Sequence, residues 1–198
     1  RIGTDVRVSI TYQDNPQGLG HAIGCAHELV GDESFAVLLP DELRGDSSIL
    51  KLLIDSSDAT GSSAIELKRV PMDEVSAYGV VSVKPGAPVD GPFVITDVVE
   101  KPKMEDAPSD LIILGRYVLT PQMFEEIANL KPVANGEYQL TDALLAQTKH
   151  TPVLGHLTTT ERYDTGTPFG WLTAVIDIAL RRNDVGPELR GWLQQRLG

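Results

Sequence analysis

Two acidic residues of the 198-residue chain each follow a predicted strand, and carboxylates in that position can hold a metal ion. Asp41 ends the apolar run FAVLLP, and Asp164 stands between a strand-like and a helix-like segment. A carboxylate at a strand end is well placed to coordinate a divalent cation. Asp41 is therefore a candidate metal ligand, and Asp164 is a second candidate. At both positions a solvated acid or a helix cap is the alternative.

Glu100 and Lys101, in the segment VVEKPK, combine an acceptor for hydroxyl groups with a cation for phosphate. Adjacent strand residues normally point to opposite faces, but Pro102 interrupts the strand, and both side chains could then turn into one cleft. Gly79 begins another predicted strand, where the absent side chain could admit a ligand. Glu100 could thus accept hydrogen bonds from sugar hydroxyls and Lys101 could neutralise a phosphate, with an exposed ion pair as the alternative; for Gly79 the alternative is an ordinary bend.

The glycine segment QGLGHAIG, residues 17–24, lies between a strand-like run and a helix-like run, as does the turn of a dinucleotide site. That fingerprint needs a third small residue where Ile23 stands, and the loop before the glycines is long for a tight turn. We therefore reject a nicotinamide-dinucleotide site. The remaining prediction is that backbone N–H groups at a helix N-terminus face an anion or a nucleobase, with a flexible connection as the alternative.

The charge balance bears on the class of partner. The chain carries 17 Lys and Arg against 28 Asp and Glu, which gives a net charge of −11. Nonspecific nucleic-acid binding needs a basic face, so we expect no nucleic-acid partner, and phosphate-rich substrates would need local lysines or a metal. A single cysteine, Cys25, favours a reducing compartment, and no apolar run reaches the ~18–20 residues of a membrane span. We expect a cytoplasmic protein without membrane attachment.

The elements that must position these groups alternate between strands and helices, which predicts an α/β fold with a mixed sheet. Strands are predicted over residues 5–12, 35–40, 63–70, 78–84, 93–100, 111–119 and 151–160. Helices are predicted over residues 19–30, 47–57, 139–149, 167–182 and 187–197, and from the N-cap Thr120 with Pro121 at the first helical position. Gly186 is the expected stop between the last two helices. Ligands of such sheets bind beyond the carboxyl ends of the parallel strands.

The motifs are more specific as an ordered set than singly. The set comprises YQDNPQGLGHAIGCA, FAVLLPDE, SAYGVV, VVEKPKMEDAPSDLIILGRYVLTPQMF, NGEYQLTDAL and RYDTGTPFGWLTAVIDIALRRNDVG. It resembles the bacterial UTP–glucose-1-phosphate uridylyltransferases, or UDP-glucose pyrophosphorylases, over essentially the whole chain. The resemblance implies one sugar nucleotidyltransferase domain over residues 1–198, ending in a helix over 187–198. It also implies a Rossmann-like, mixed and mainly parallel sheet flanked by helices.

The resemblance implies a Mg²⁺-assisted reaction in which UTP and glucose 1-phosphate give UDP-glucose and pyrophosphate. An oxygen of the sugar phosphate would attack the α-phosphorus of UTP in line, and no general base is required because that oxygen is already anionic. The partners would be these small molecules and further copies of the chain, in a dimer or tetramer.

Site roles are implied position by position. Gln13 matches a glutamine that reads the uracil edge, and Gly18 matches a glycine packed against the base. Asp41 matches the magnesium ligand, with Asp164 as a less certain second ligand. Matches to the glucose and phosphate contacts are Gly79, Glu100 and Lys101, of which Lys101 would act in catalysis with Asp41. Glu137 would help at the sugar end, and the neighbouring pair Arg116 and Tyr117 would lie along the same wall.

One family motif has no match in the chain. The loop G-x-G-T-R-x-x-P-x-T-K, which holds the triphosphate, is absent; RIGTDVR contains G-T but lies too close to QGLGHA. The stretch after LLPDE also looks short. We therefore expect the 198 residues alone to be inactive and the intact protein to be active. The alternatives are the same chemistry with another base or sugar, and a non-catalytic sugar-nucleotide-binding relative. A generic α/β domain would require all six motif matches to be accidental.

Overall fold

The computed structural model describes residues 6–88 and 90–198. Its strands are β1 (Phe35–Leu38), β2 (Glu42–Arg44), β3 (Ser63–Arg69), β4 (Gly79–Val83), β5 (Phe93–Glu100), β6 (Leu111–Leu119), β7 (Val153–Leu157) and β8 (Arg162–Asp164). Its helices are α1 (Gly18–Gly24), α2 (His27–Val30), α3 (Ser48–Thr60), α4 (Gln122–Ala128), α5 (Leu140–Gln147), α6 (Pro168–Arg181) and α7 (Gly186–Leu197), with short 3₁₀ turns at Val75–Ala77 and Met104–Asp106.

Six strands form one mixed sheet in the order β1-β6-β3-β7-β5-β4, and β4 also pairs with β6. The α/β class and the mixed sheet flanked by helices are therefore confirmed. Strands β3 and β7 are parallel, whereas β3–β6, β4–β5, β5–β7 and β4–β6 are antiparallel. These pairings correct the expectation of a mainly parallel sheet. Parallel neighbours need a crossover of a dozen or more residues, and the connection between β4 and β5 is shorter than that.

The core lies where β6 is covered on both faces, and all nine of its residues are buried. This explains why the sequence of β6 is a nearly continuous apolar run. Helix α3 packs Ile49 and Leu53 against Ala64 of β3 and Val118 of β6. Complete burial of Leu53 contributes about 1.5–3 kcal/mol to folding. The predicted bounds of β5 and β6 are confirmed to the residue, and those of α3 within three residues.

The predicted strand over residues 5–12 is wrong for the part that the structure describes. Residues 6–12 have no regular secondary structure, and the alternating Val6, Val8, Ile10 and Tyr12 are all exposed. Asp5 lies outside the described residues. Alternation indicates which side chains could share a face, but a strand forms only against a neighbouring strand that accepts and donates its backbone hydrogen bonds.

Three helix signals are corrected in detail. The helix expected over residues 19–30 is interrupted at Cys25 and Ala26, giving α1 and α2. Thr120 does not cap α4, because its hydroxyl is buried and accepts a hydrogen bond from Gln147 Nε2 at 2.8 Å. Gly186 is the first residue of α7, whereas α6 already ends at Arg181. A Cβ on Gly186 would lie 2.6 Å from the Leu180 carbonyl oxygen, so this close approach requires glycine.

Contacts between elements divide the chain into two compact units. The larger unit contains the described residues up to Val37 and from Ile49 to Thr158, with the six-stranded sheet. The smaller unit contains Leu38–Ser48 and Thr159–Gly198, with the antiparallel pair β2–β8 and helices α6 and α7. One nucleotidyltransferase domain over residues 1–198 stays a prediction. Among the described residues, no helix combines the length and apolarity that crossing a membrane would require.

Candidate functional site

In the larger unit, the glycine loop is held against the segment GEYQL, residues 136–140. Tyr138 N donates to Gln17 O at 2.7 Å, and Gly20 N donates to Tyr138 O at 2.9 Å. Gly18 has φ +87°, and a Cβ there would lie 2.9 Å from Tyr138 O and 3.0 Å from the Cβ of Glu137. Only glycine fits this left-handed, closely packed position. The structure thus brings together two predicted site residues, Gly18 and Glu137.

Gln13 lies beside the same loop and is half-buried. Its Nε2 donates to Gly18 O at 3.1 Å and lies 2.8 Å from Nδ1 of His21. The sequence analysis gave His21 no role and missed this contact. The available signal was its position three residues after Gly18, which places both on the first turn of α1.

A second cluster in the larger unit forms where β4 begins opposite the end of β5. Gly79 and Glu100 are directly paired in the antiparallel register. A Cβ on Gly79 would lie 2.7 Å from Thr141 Cγ2 and 3.3 Å from Glu100 Oε2. The missing side chain therefore allows Glu100 and Thr141 to converge. Thr141 was not predicted as part of the site, although it belongs to the quoted motif GEYQLTDAL.

Lys101 adopts a left-handed conformation with φ +44°, which costs a non-glycine residue roughly 1–3 kcal/mol. Its backbone N donates to Tyr78 O at 3.0 Å, which ties this conformation to the start of β4. Its Nζ lies 3.8 Å from Glu100 Oε1, so the two side chains point to the same side, as the sequence predicted. The Lys101 side chain is 63% exposed and Glu100 is 26% exposed, so the ammonium remains accessible to an anion.

In the smaller unit, the carboxylates of Asp41 and Asp164 converge over Gly166. A Cβ on Gly166 would lie 3.2 Å from Asp164 Oδ1 and 3.3 Å from Asp41 Oδ2. The separation of these oxygens is therefore no more than the sum of the two distances. The loop is fixed by Thr165, whose N and Oγ1 donate to Asp41 O at 2.7 and 2.9 Å, and by Gly166 N, which donates to Asp164 Oδ1 at 3.1 Å.

The two convergent carboxylate oxygens of Asp41 and Asp164 are suitable ligands for a hard divalent cation. The described residues contain no group of three or more His, Cys, Asp or Glu that could hold a metal. An ion between Asp41 and Asp164 would therefore complete its coordination with waters or substrate phosphates. Mg²⁺ characteristically binds in this way, through one or two carboxylates.

Glu42, the neighbour of Asp41, is part of a buried ion-pair network instead. Its carboxylate accepts from Arg44 NH2 at 2.9 Å and lies 3.0 Å from Arg162 NH2, which is also 3.3 Å from Asp164 Oδ2. The side chains of Glu42 and Arg44 are at most 8% exposed. Arg162 was not identified from the sequence; its alternation with Asp164 along β8 places both side chains on one face.

Arg116 and Tyr117 are both buried in β6. Arg116 NH1 donates to Gly115 O at 2.9 Å, and Tyr117 is paired with Ile65 of β3. Adjacent strand residues point to opposite faces, so at most one of these side chains faces any single wall. Their binding roles stay predictions.

Comparison with known proteins identifies the family. A family model described as Nucleotidyl transferase matches residues 1–179. The chain belongs to this family. A curated nucleotidyl transferase of Streptococcus pneumoniae serotype 4 (strain ATCC BAA-334 / TIGR4), named UTP--glucose-1-phosphate uridylyltransferase, is 41% identical over 197 residues. The match covers 97% of this chain but 66% of that relative, slightly less than two thirds of its length. The resemblance predicted from the motifs is confirmed.

Solved structures of nucleotidyl transferases agree with the fold. A UDP-glucose pyrophosphorylase complexed with UDP-glucose superposes with a TM-score of 0.79 at 37% identity, covering 86% of this chain and 65% of that one. A UTP-bound enzyme from Acinetobacter baumannii has a TM-score of 0.80 at 34% identity, with 91% and 62% covered.

Proposed function

We propose that this nucleotidyl transferase forms UDP-glucose and pyrophosphate from UTP and glucose 1-phosphate. One observation carries the proposal: the segment from Glu137 to Thr141 contacts both clusters of the larger unit. Tyr138 holds the glycine loop beside Gln13, and Thr141 packs where Gly79 meets Glu100. A group that could read a base and groups that could bind a sugar phosphate are thus joined by one short segment, as a nucleotide-sugar product requires.

Four of the predicted residues, Gln13, Gly18, Glu100 and Lys101, lie in surroundings that suit the roles proposed for them. Gln13 would contact the uracil edge, and Gly18, whose Cβ position faces Tyr138 and Glu137, would pack its backbone against the base. Glu100 would accept hydrogen bonds from glucose hydroxyls, and the exposed ammonium of Lys101 would bind the phosphate. Because an anionic phosphate oxygen is the nucleophile, these residues need to position the two substrates and offset their repulsion, without removing a proton.

We further propose that Asp41 and Asp164 hold Mg²⁺. A bound Mg²⁺ would neutralise phosphate charge and favour departure of pyrophosphate. The two convergent carboxylates and the fixed loop between them support this assignment. The chain's net charge of −11 makes local cations the main attraction for phosphates.

The test is pyrophosphate release by the protein expressed from its complete reading frame, with glucose 1-phosphate, Mg²⁺ and each of UTP, dTTP, CTP, ATP and GTP. We expect turnover with UTP to exceed that with every other nucleotide. A preference for dTTP or CTP would replace the uridylyl assignment by the same chemistry on another base. Binding without turnover would favour a non-catalytic relative. The 198 residues assayed alone should be inactive.

The proposal includes a cytoplasmic homo-oligomer, a dimer or tetramer, which the family resemblance implies. Light scattering of the purified complete protein tests the assembly, and a mass equal to one chain would contradict it. Cell fractionation tests the compartment, and recovery outside the cytoplasm would contradict that part.

A further inference from the structure

The orientation of the Gln13 amide is fixed by chemistry. Its Nε2 lies 3.1 Å from the carbonyl oxygen of Gly18. A carbonyl oxygen can only accept, so the amide nitrogen, and not its oxygen, must occupy this place. One of the two amide hydrogens is thereby assigned to Gly18.

The second amide hydrogen is directed at His21. Nδ1 of the imidazole lies 2.8 Å from the same Nε2, which must again be the donor. Nδ1 therefore carries no proton, and the neutral ring holds its hydrogen at Nε2. Among the described residues, the Cys25 thiol lies 3.8 Å from Nδ1, and the ring centroid of Tyr138 lies 6.0 Å from that of His21. Gly18 and His21 supply both acceptors from the first turn of α1.

With both hydrogens directed inward, Gln13 presents only an acceptor. The hydrogen bonds of its side chain to described residues all use Nε2, and Oε1 remains to meet a ligand. Uracil offers a ring N3–H donor, which suits such an acceptor. Cytosine has a lone pair at N3, so Oε1 would face another acceptor. Held by Gly18 alone, the amide could turn and offer N–H to cytosine.

We propose that His21 is a positioning residue that determines base specificity by accepting the second amide hydrogen of Gln13. This inference rests on the proposed function, in which Gln13 reads the base of UTP. His21 makes no contact with the substrate in this account. Because His21 accepts the second amide hydrogen, Gln13 has no N–H left to donate to a base. A nucleobase with an N–H in its ring is therefore favoured over one with a lone pair at the same position.

The test compares two variants of the complete protein. His21→Phe retains a ring beside Tyr138 but has no acceptor, whereas His21→Asn places an amide oxygen near the position of Nδ1. The ratio of kcat/KM for UTP to that for CTP should fall about fivefold to tenfold in His21→Phe, through a higher KM for UTP with kcat within about twofold. His21→Asn should restore at least half of the ratio.

Three results would overturn the inference. These are an unchanged ratio in His21→Phe, an equal loss in both variants, or a loss confined to kcat. Nitrogen-15 NMR of the unmodified protein tests it without any substitution, because a proton on Nδ1 of His21 would exclude the proposed bond. If the unmodified protein does not use UTP, the proposed function itself fails. UTP turnover with an unchanged ratio would refute only the role of His21.

Discussion

At the scale of single residues, glycines allow the residues of the candidate sites to approach each other closely. Each of Gly18, Gly79 and Gly166 occupies a point where a Cβ would lie within 3.3 Å of a predicted functional residue or its neighbour. The sequence showed that these glycines were there, but not what surrounds them. Gly79 and Glu100 are close in a hairpin register and could be paired from the sequence. Asp41 and Asp164 are 123 positions apart, and only the fold brings them together.

Lys101 provides a test at this scale. Lys101→Ala should lower kcat at least 100-fold, because the ammonium proposed to offset phosphate repulsion is lost. The melting temperature should change by no more than about 2 °C, since the side chain is 63% exposed. Lys51→Ala is the matched control, because Lys51 is exposed and forms only a surface pair with Asp55. Near-normal turnover of the Lys101 variant would remove this residue from the mechanism.

Asp41 provides the corresponding test of the metal proposal. Asp41→Asn keeps the size of the side chain but removes the charge that a divalent cation needs. We expect loss of Mg²⁺-stimulated activity and, by calorimetry in the presence of UTP, Mg²⁺ binding weakened at least tenfold. Asp184→Asn is the control, because this exposed acid of the same unit is paired with Arg182. Equal Mg²⁺ dependence of the Asp41 variant and the parent would exclude the metal role.

At the scale of elements, buried strands and amphipathic helices were predictable because buried positions are apolar and exposed positions are polar, which leaves a pattern in the sequence. Strand β6 and helix α3 are examples, with clear apolar runs or faces. Residues 5–12 also alternate between apolar and polar side chains, but the described part of this run pairs with no strand. Periodicity cannot show whether a neighbouring strand is present. Thr120 resembled a helix cap because cap residues are polar, yet its hydroxyl bonds with Gln147 across the core.

His156 of β7 gives a pH-dependent prediction at this scale. Burial lowers the pKa of its imidazole, whose Nε2 lies 2.9 Å from Ser56 Oγ of α3. Glu66 of β3, completely buried, is paired with it in the parallel register. Since the folded-state pKa lies below the unfolded value of about 6.5, the unfolded state binds the proton first as the pH falls. Stability is therefore retained above about pH 6.5 and declines below it.

Urea unfolding between pH 7.5 and 5.5 measures this decline. The free energy of unfolding should fall by up to about 1.4 kcal/mol per pH unit where the states differ by one proton. His156→Gln should reduce the slope relative to the parent. His150→Gln is the control because this side chain is exposed just after α5. A slope unaffected by the His156 substitution would show that its burial does not control the acid response.

At the scale of the whole molecule, the chain is a strongly acidic nucleotidyl transferase whose two compact units each carry part of the predicted chemistry. The larger unit holds the groups proposed to bind base, sugar and phosphate, and the smaller holds the carboxylates proposed to bind metal. The ordered motifs predicted the family, because many short matches in sequence order are jointly specific. They did not identify His21, Thr141 or Arg162, because spacing along the chain only suggests proximity and the contacts of these residues arise from packing.

The central claim is that an oxygen of glucose 1-phosphate attacks the α-phosphorus of UTP. It is tested most directly by incubating the complete protein with Mg²⁺, glucose 1-phosphate and UTP labelled with ³²P at either the α or the γ position. The account predicts that the α label appears in UDP-glucose and the γ label in pyrophosphate. Appearance of the γ label in a sugar phosphate, or failure of the α label to enter a nucleotide sugar, would contradict it.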